Sequence, residues 1–198
     1  MMSIEEQTGV VVLAAGASTR LGSPKQLVSF KGKPLLQHTL DIGSSINFGR
    51  KVLVLGAHAG EISHAMDMNG YEVVMNSRWQ EGMGSSLRRG VEVMGDSPAI
   101  HHLLVLLSDQ PQVSVELLRS LLKEHAANDE DITASGYRGK TGVPAIFSRA
   151  HFPELKRLTG DQGAKQLMSR YPVVRVAFPE GHVDVDTRED VDRLRRME

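Results

Sequence analysis

Residues 16–25 carry two glycines, several small residues, one arginine and one lysine, directly after a short apolar run. Glycines let successive backbone N–H groups close around an anion. Arg20 adds a planar charged fork and Lys25 a point charge. That set suits a phosphate. Carboxylates stand at two distant places. Asp109 follows the apolar run 102–107 in Ser108-Asp109-Gln110-Pro111, and Asp184 and Asp186 alternate near the other end of the sequence. Aspartate is an oxygen donor of the kind Mg2+ takes, often one or two per ion with substrate phosphates completing the shell. A third stretch, Gly82-Met83-Gly84-Ser85-Ser86, opens a helix with glycines and serines. Its free N–H groups suit an anion or a nucleotide edge, and they equally suit a plain capped helix start.

Several other chemistries are excluded by spacing. A P-loop has four residues between its glycines and a lysine directly after the second; here five residues separate Gly16 from Gly22 and Lys25 comes later. A Rossmann fingerprint needs Gly-x-Gly after the strand, which Ala17-Ser18 do not supply. The histidines show no zinc-ligand spacing, there is no Gly-x-Ser-x-Gly elbow, and the absence of cysteine removes thiolate nucleophiles and thiolate metal sites. Metal-assisted attack on a nucleotide phosphate remains. So sparse a site suits nucleotidyl transfer. An acceptor phosphate is already ionised near neutral pH, so positioning and electrostatics carry the reaction without a strong base.

The elements that must position these residues alternate along the chain. Apolar runs at 9–15, 51–56, 71–75, 102–107, 131–137, 143–147 and 173–178 read as strands. Helices are expected at 34–46, 61–66, 85–94, 115–127 and 149–158, with another running to Arg170 and a last one after Thr187. Such alternation predicts an α/β fold with a largely parallel sheet. In such sheets ligands bind beyond the carboxyl ends of strands, where Asp109 sits. Loop 138–142 is expected to join two strands, with Lys140 as a solvated charge. Trp79, the only tryptophan, is expected to pack in the core or its loop. Asp161 reads as a helix N-cap or a ligand residue, and Thr187 as a cap with Glu189 and Asp190 in the first turn.

The stretch Leu13-Ala14-Ala15-Gly16-Ala17-Ser18-Thr19-Arg20-Leu21-Gly22-Ser23-Pro24-Lys25 resembles Leu-Ala-Ala-Gly-x-Ser-x-Arg-x-Gly-x-x-Lys. That is the signature of the MobA-like nucleotidyltransferases, and it is most similar to their MocA branch, the molybdenum cofactor cytidylyltransferases. Further matches follow in family order. They are the Gly82 to Leu87 pattern, Asp109 before Gln110-Pro111, Ala134-Ser135-x-Tyr137 with Gly142-x-Pro144-Ala145-x-Phe147, and Gly160-Asp161-x-Gly163-Ala164. The resemblance covers residues 11–190. It implies a three-layer αβα Rossmann-like nucleotidyltransferase fold with a mainly parallel mixed central sheet. The implied activity moves CMP from CTP onto a phosphorylated acceptor, molybdopterin or molybdenum cofactor, with release of pyrophosphate.

By that resemblance Lys25, Arg20 and Asp109 are catalytic. Leu13, Ala14, Ala15, Gly16, Ser18, Arg20, Lys25, Gly82, Ser85, Ser86 and Ser108 bind nucleotide. Tyr137, Gly142, Pro144, Gly160, Asp161 and Gly163 lie at the acceptor. Asp109 and Asp186 hold Mg2+, or Mn2+ in its place, with Asp184 next in line. Lys165 stands where the family shows arginine, which keeps the charge and loses the bidentate fork. A molybdenum hydroxylase or its chaperone is the macromolecular partner the resemblance suggests. Two other readings stay open, a sugar- or polyol-phosphate nucleotidyltransferase and a non-catalytic molybdenum cofactor-binding accessory protein.

Composition agrees with an ordinary globular chain. At 198 residues it is expected to form one domain, residues 1–198. A net charge of −1 gives no electrostatic footprint for nucleic acid or a membrane surface. The polar, acidic start Ser3-Ile4-Glu5-Glu6-Gln7 is unlike a signal peptide, so a cytoplasmic location is expected.

Overall fold

The computed structural model describes residues 2–161 and 163–197. Gln162, inside the 160–163 loop, lies outside the described residues. The elements run in the order α1 (Ile4–Gln7), β1 (Thr8–Ala14), β2 (Ser29–Phe30), β3 (Lys33–Pro34), α2 (Leu35–Ser44), β4 (Arg50–Leu55), α3 (Ala59–Ala65), β5 (Glu72–Met75) and α4 (Met83–Gly95). They continue with β6 (His102–Leu107), α5 (Val115–Ala127), β7 (Ile132–Tyr137), β8 (Lys140–Ser148), α6 (Phe152–Leu155), α7 (Lys165–Met168), β9 (Val174–Ala177) and α8 (Arg188–Arg195).

Seven strands form one sheet in the order β5-β4-β1-β6-β8-β7-β9. β1 pairs in parallel with β4 and with β6, while β8 runs antiparallel to β6 and β7. The sheet is therefore mixed and mainly parallel. Every residue of β1 is buried, as a central parallel strand covered on both faces must be. Alternation sends Val11 and Leu13 to one face, with Leu87, Val91 and Met94 of α4 and Phe152 and Leu155 of α6. Val10, Val12 and Ala14 face the other way, onto Leu36 and Leu40 of α2, Ile62 of α3 and the Leu117, Leu118, Leu121 and Leu122 stripe of α5. These are the three αβα layers. Gly90 lets α4 lie directly on β1, since a Cβ there would come within 2.6 Å of Val11 Cγ1.

Two local expectations are corrected. The 138–142 loop is only the Arg138-Gly139 turn, with φ of 47° and 72°, and Lys140 already pairs with Tyr137 in the ladder. Two left-handed residues make the tight hairpin connection that matches strand twist. The expected helix 149–158 is instead a 3-10 turn, Arg149–His151, followed by the short α6. Pro153 has no N–H to give to the Arg149 carbonyl, so one continuous α-helical ladder cannot form.

A small third cluster positions the chemistry. Leu21, Phe30 and Leu35 pack with Val185, Val191 and Leu194. It ties the glycine loop and α2 to the segment carrying Asp184 and Asp186 and to α8. Thr187 caps α8 in a reciprocal box with Asp190.

At the opposite end of the sheet, buried His125 meets Thr133 Oγ1 at 3.0 Å and His102 Nδ1 at 3.0 Å. Burial, with His102 adding to it, pushes His125 down to about 4, while Asp131 works weakly the other way. The folded state therefore keeps this ring neutral where the unfolded chain binds a proton. The contribution is complete above the ordinary histidine value of about 6.5 and is lost as pH falls toward about 4. Urea unfolding at pH 5 should give a stability about 1–2 kcal/mol below that at pH 7, with most of the difference removed by His125→Gln. An unchanged pH slope in that variant would assign the loss to other groups.

Candidate active site

The glycine loop leaves β1 at its carboxyl end and returns at Lys25. Ser18, at φ 53°, accepts the Leu21 and Gly22 N–H groups on its carbonyl, and its Oγ accepts the Lys25 N–H. Buried Gln26 donates from Nε2 to the carbonyls of Ala14 (2.8 Å) and Gly16 (3.1 Å), which clamps the two ends of the loop together. Among the described residues, the N–H groups of residues 16–20 donate to no protein acceptor. Amides left free in a row are what an anion nest requires; Leu21, Gly22 and Lys25 spend theirs within the loop.

The loop borders a cavity of about 630 Å³, within the range of sites for nucleotide-sized ligands. Asp109 reaches it from the end of β6, and Asp184 and Asp186 from the stretch before α8. Val185 donates its N–H to the Asp109 carbonyl at 3.1 Å, so this stretch runs beside the end of β6. Its alternation brings both aspartates to the cavity wall. Lys25 Nζ lies 2.5 Å from Asp109 Oδ2 and 2.7 Å from Asp186 Oδ1, with 16% of its side chain exposed. Arg20, 70% exposed, reaches Asp186 Oδ2 at 2.9 Å.

The charges interlock. Burial opposes the Lys25 ammonium, yet Asp109 and Asp186 together raise its pKa above the usual lysine value. Burial likewise works against the Asp186 carboxylate, and Lys25 and Arg20 outweigh it and hold its pKa down. Asp184 moves the other way. Burial first, then the neighbouring Asp109 charge, raises it to about 6. Tyr137 is raised by burial and by Asp184 and Asp109. Asp109 Oδ1 is buried without a hydrogen-bond partner.

The structure brings most of the expected residues to one wall. Leu13, Ala14, Ala15, Gly16, Ser18, Arg20, Lys25, Gly82, Ser86 and Ser108 border the cavity with the three aspartates, and so do Tyr137 and Asp161. Ser85 stands behind this wall. Its Oγ accepts from Asn76 Nδ2 and lies 2.9 Å from both the Arg78 and Gly82 carbonyls, so its hydrogen-bonding capacity is spent on the turn. Ser86 also accepts from Asn76 and keeps its own proton to offer.

Gly142 and Pro144 lie in β8, outside the wall. Gly142 passes beneath the Tyr137 hydroxyl, and Pro144 accepts from Ser135 Oγ. Gly160 accepts the Gly84 N–H at 2.9 Å, and Gly163 lies against Met83. Asp161 caps no helix, because the N-cap of α7 is Ala164; it lies over Gly82 instead, where a Cβ would come within 2.4 Å of its Oδ1. The 159–161 loop therefore rests directly on the loop that opens α4. Trp79 packs against the core and also borders the cavity. Lys165 is exposed at the rim, and Lys140 is exposed on its strand.

Sequence reasoning missed Gln26 and Gln110. Gln110, at the end of β6, borders the cavity, donates weakly to the Val143 and Gly181 carbonyls and leaves Oε1 unpartnered. A neutral amide carries no chemical mark, and the only available signal was its place beside Lys25 or Asp109.

The MobA-like NTP transferase domain matches residues 10–176, most of the chain. The chain belongs to the MobA-like NTP transferase family. Curated relatives agree on extent. Nicotine blue oxidoreductase of Paenarthrobacter nicotinovorans is 31% identical over 94% of this chain and 93% of its own length. Purine catabolism protein PucB of Bacillus subtilis is 29% identical over 94% and 95%. Rv0371c of Mycobacterium tuberculosis superposes with a TM-score of 0.83 at 36% identity, covering 95% of this chain and 97% of that one. The same protein has also been crystallised in complex with manganese. Family membership makes this a nucleotidyltransferase-type chain on the fold its sequence predicts. Among the described residues, no helix is long and apolar enough to cross a membrane.

Proposed function

We propose that this chain, as one domain, transfers a nucleoside monophosphate, CMP from CTP, onto a small phosphorylated acceptor of the molybdopterin class and releases pyrophosphate. The observation that carries the reading is Lys25 gripping Asp109 and Asp186 at the mouth of a cavity bordered by an open row of backbone amides. The free amides of residues 16–20, with Arg20 and Lys25, hold the triphosphate. Arg20 reorients readily, because an exposed ion pair such as its bond to Asp186 is worth only about 0–1 kcal/mol. The acceptor lies toward Tyr137 and Asp161. Its ionised phosphate oxygen attacks the α-phosphorus, a P–O bond forms as the α–β bridging bond breaks, and pyrophosphate leaves with the bonding pair.

A divalent cation, Mg2+ or Mn2+, fits the acids present. Asp109 Oδ1 is buried and unpartnered, and Asp109 and Asp186 already converge on one positive charge. Bound there, the ion would screen charge between the two anions and on the leaving group. The chain's own residues fix the phosphates, and the apolar wall that includes Leu107, Val143 and Met168 limits water around them.

A pyrophosphate-release assay with each of the four NTPs tests this against molybdopterin, a sugar phosphate and a polyol phosphate. Release with CTP and molybdopterin supports the reading. Release only with a sugar or polyol phosphate would move the acceptor class. Binding of molybdenum cofactor without pyrophosphate would indicate an accessory protein that hands it to a hydroxylase. The cytoplasm, which supplies CTP, is the location this reading expects.

Asp161→Ala should raise the acceptor KM about tenfold and leave the CTP KM within about twofold. Because Asp161 lies over Gly82, the opposite split is the result to watch for. It would assign Asp161 to the nucleotide loop.

A further inference from the structure

The Lys25 ammonium occupies the position between two carboxylates that a divalent ion would need. The same group is the fixed charge best placed to hold the triphosphate. One side chain cannot do both at once. We infer that Lys25 is a resident counter-ion for the acidic pair, and that divalent metal enters only as nucleotide draws the ammonium away. The inference rests on Asp109 and Asp186 being the cation pair of the proposed function.

The geometry favours exchange over rigid coexistence. The backbone around Lys25 is held, by its N–H to Ser18 Oγ and by the Gln26 clamp on the Ala14 and Gly16 carbonyls. Only the flexible four-carbon stem has to move, so the ammonium can leave the pair without disturbing the loop. In the nucleotide-free protein it has no better partner nearby. Arg20 already serves Asp186 from the solvent side, and Asp184 borders the same cavity as the pair. A metal arriving alone must expel a largely buried ammonium from two short ion pairs. A triphosphate arriving first offers that ammonium several new oxygens and leaves the acidic pair uncompensated. Nucleotide and metal therefore bind with positive coupling, and the coupling passes through Lys25.

The test reads Mn2+ binding, through the electron paramagnetic resonance signal of free Mn2+, without turnover. Without nucleotide, Lys25→Gln should bind Mn2+ about tenfold or more tightly than the unsubstituted protein. Arg20→Gln, which deletes the same charge without vacating the position between the carboxylates, should stay within about threefold. Adding CTP with a methylene α–β bridge should tighten Mn2+ more in the unsubstituted protein than in Lys25→Gln, closing the gap. Lys25→Met replaces the glutamine variant if that fails to fold. Equal Mn2+ affinity with and without Lys25, or an equal gain in Arg20→Gln, would overturn the inference and leave the proposed activity standing. No Mn2+ binding in any of the proteins, even with the analogue, would overturn the cation pair itself and the inference with it.

Discussion

Lys25→Ala lowers kcat/KM for pyrophosphate release by about 2–4 kcal/mol, the usual effect of removing one preorganised charge partner of a transition state. That corresponds to roughly 30- to 1,000-fold in rate. A loop lysine would ordinarily be lost with little effect on stability, but this one is not solvated. Its side chain is 16% exposed and bonds two aspartates. Truncation leaves Asp186 with its Arg20 pair and Asp109 without its Lys25 partner. The melting temperature should therefore fall as well and recover in part when Mn2+ is added. Kinetics at saturating and sub-saturating CTP, with melting curves in chelator and in Mn2+, separate the two effects. Wild-type kcat/KM in a folded variant would remove Lys25 from the triphosphate site.

Asp109→Asn is expected to be more damaging to turnover and far milder to the fold. The substitution preserves shape and removes the charge, and loss of about a thousandfold in kcat is the expected scale for a group acting on the developing charge. Stability should move little, because two changes oppose each other. Lys25 loses one partner but keeps Asp186, and Asp184 is relieved of the like charge that acts on it most strongly. Since burial and then Asp109 raise Asp184 to about 6, its titration in Asp109→Asn should shift toward ordinary carboxylate values. Carbon-13 NMR of the Asp184 carboxyl reads that shift directly. A large fall in melting temperature with normal turnover would make Asp109 a structural acid.

Periodicity carried the fold. The valine run of β1, the leucine stripe of α5 and the apolar run of β6 each fall close to their expected bounds, because their packing follows from one face or two faces of a regular element. Where backbone chemistry competes, patterning failed. Pro153 turned the expected helix 149–158 into a 3-10 turn and a short helix, and the Arg138-Gly139 pair shortened the expected 138–142 loop.

At the site, charge and position made Lys25 and Asp109 legible, and the family resemblance paired Asp186 with Asp109. Nothing local could reveal that one lysine holds both acids, because its partner Asp186 lies 161 positions away. The amides Gln26 and Gln110 escaped for a different reason. Their importance comes from which carbonyls happen to converge on them, a property of the folded chain alone. Ser85 shows the reverse case, a residue in a ligand-like pattern whose hydroxyl serves the turn it stands in.

The packing of Leu21, Phe30 and Leu35 against Val185, Val191 and Leu194 sets a timetable for biosynthesis. The glycine loop is translated well before the hydrophobic partners, Val185, Val191 and Leu194, that fasten it to the stretch carrying Asp184 and Asp186. A nascent polypeptide can assemble the central strands and bury most of its core while its reactive end stays unfinished. Until α8 docks, Lys25 has Asp109 but no Asp186, and no partial product carries both halves of the charged grip. The grip is complete only once residues 185–194 have been made, so a chain stopped before them would carry Lys25 and Asp109 without Asp186.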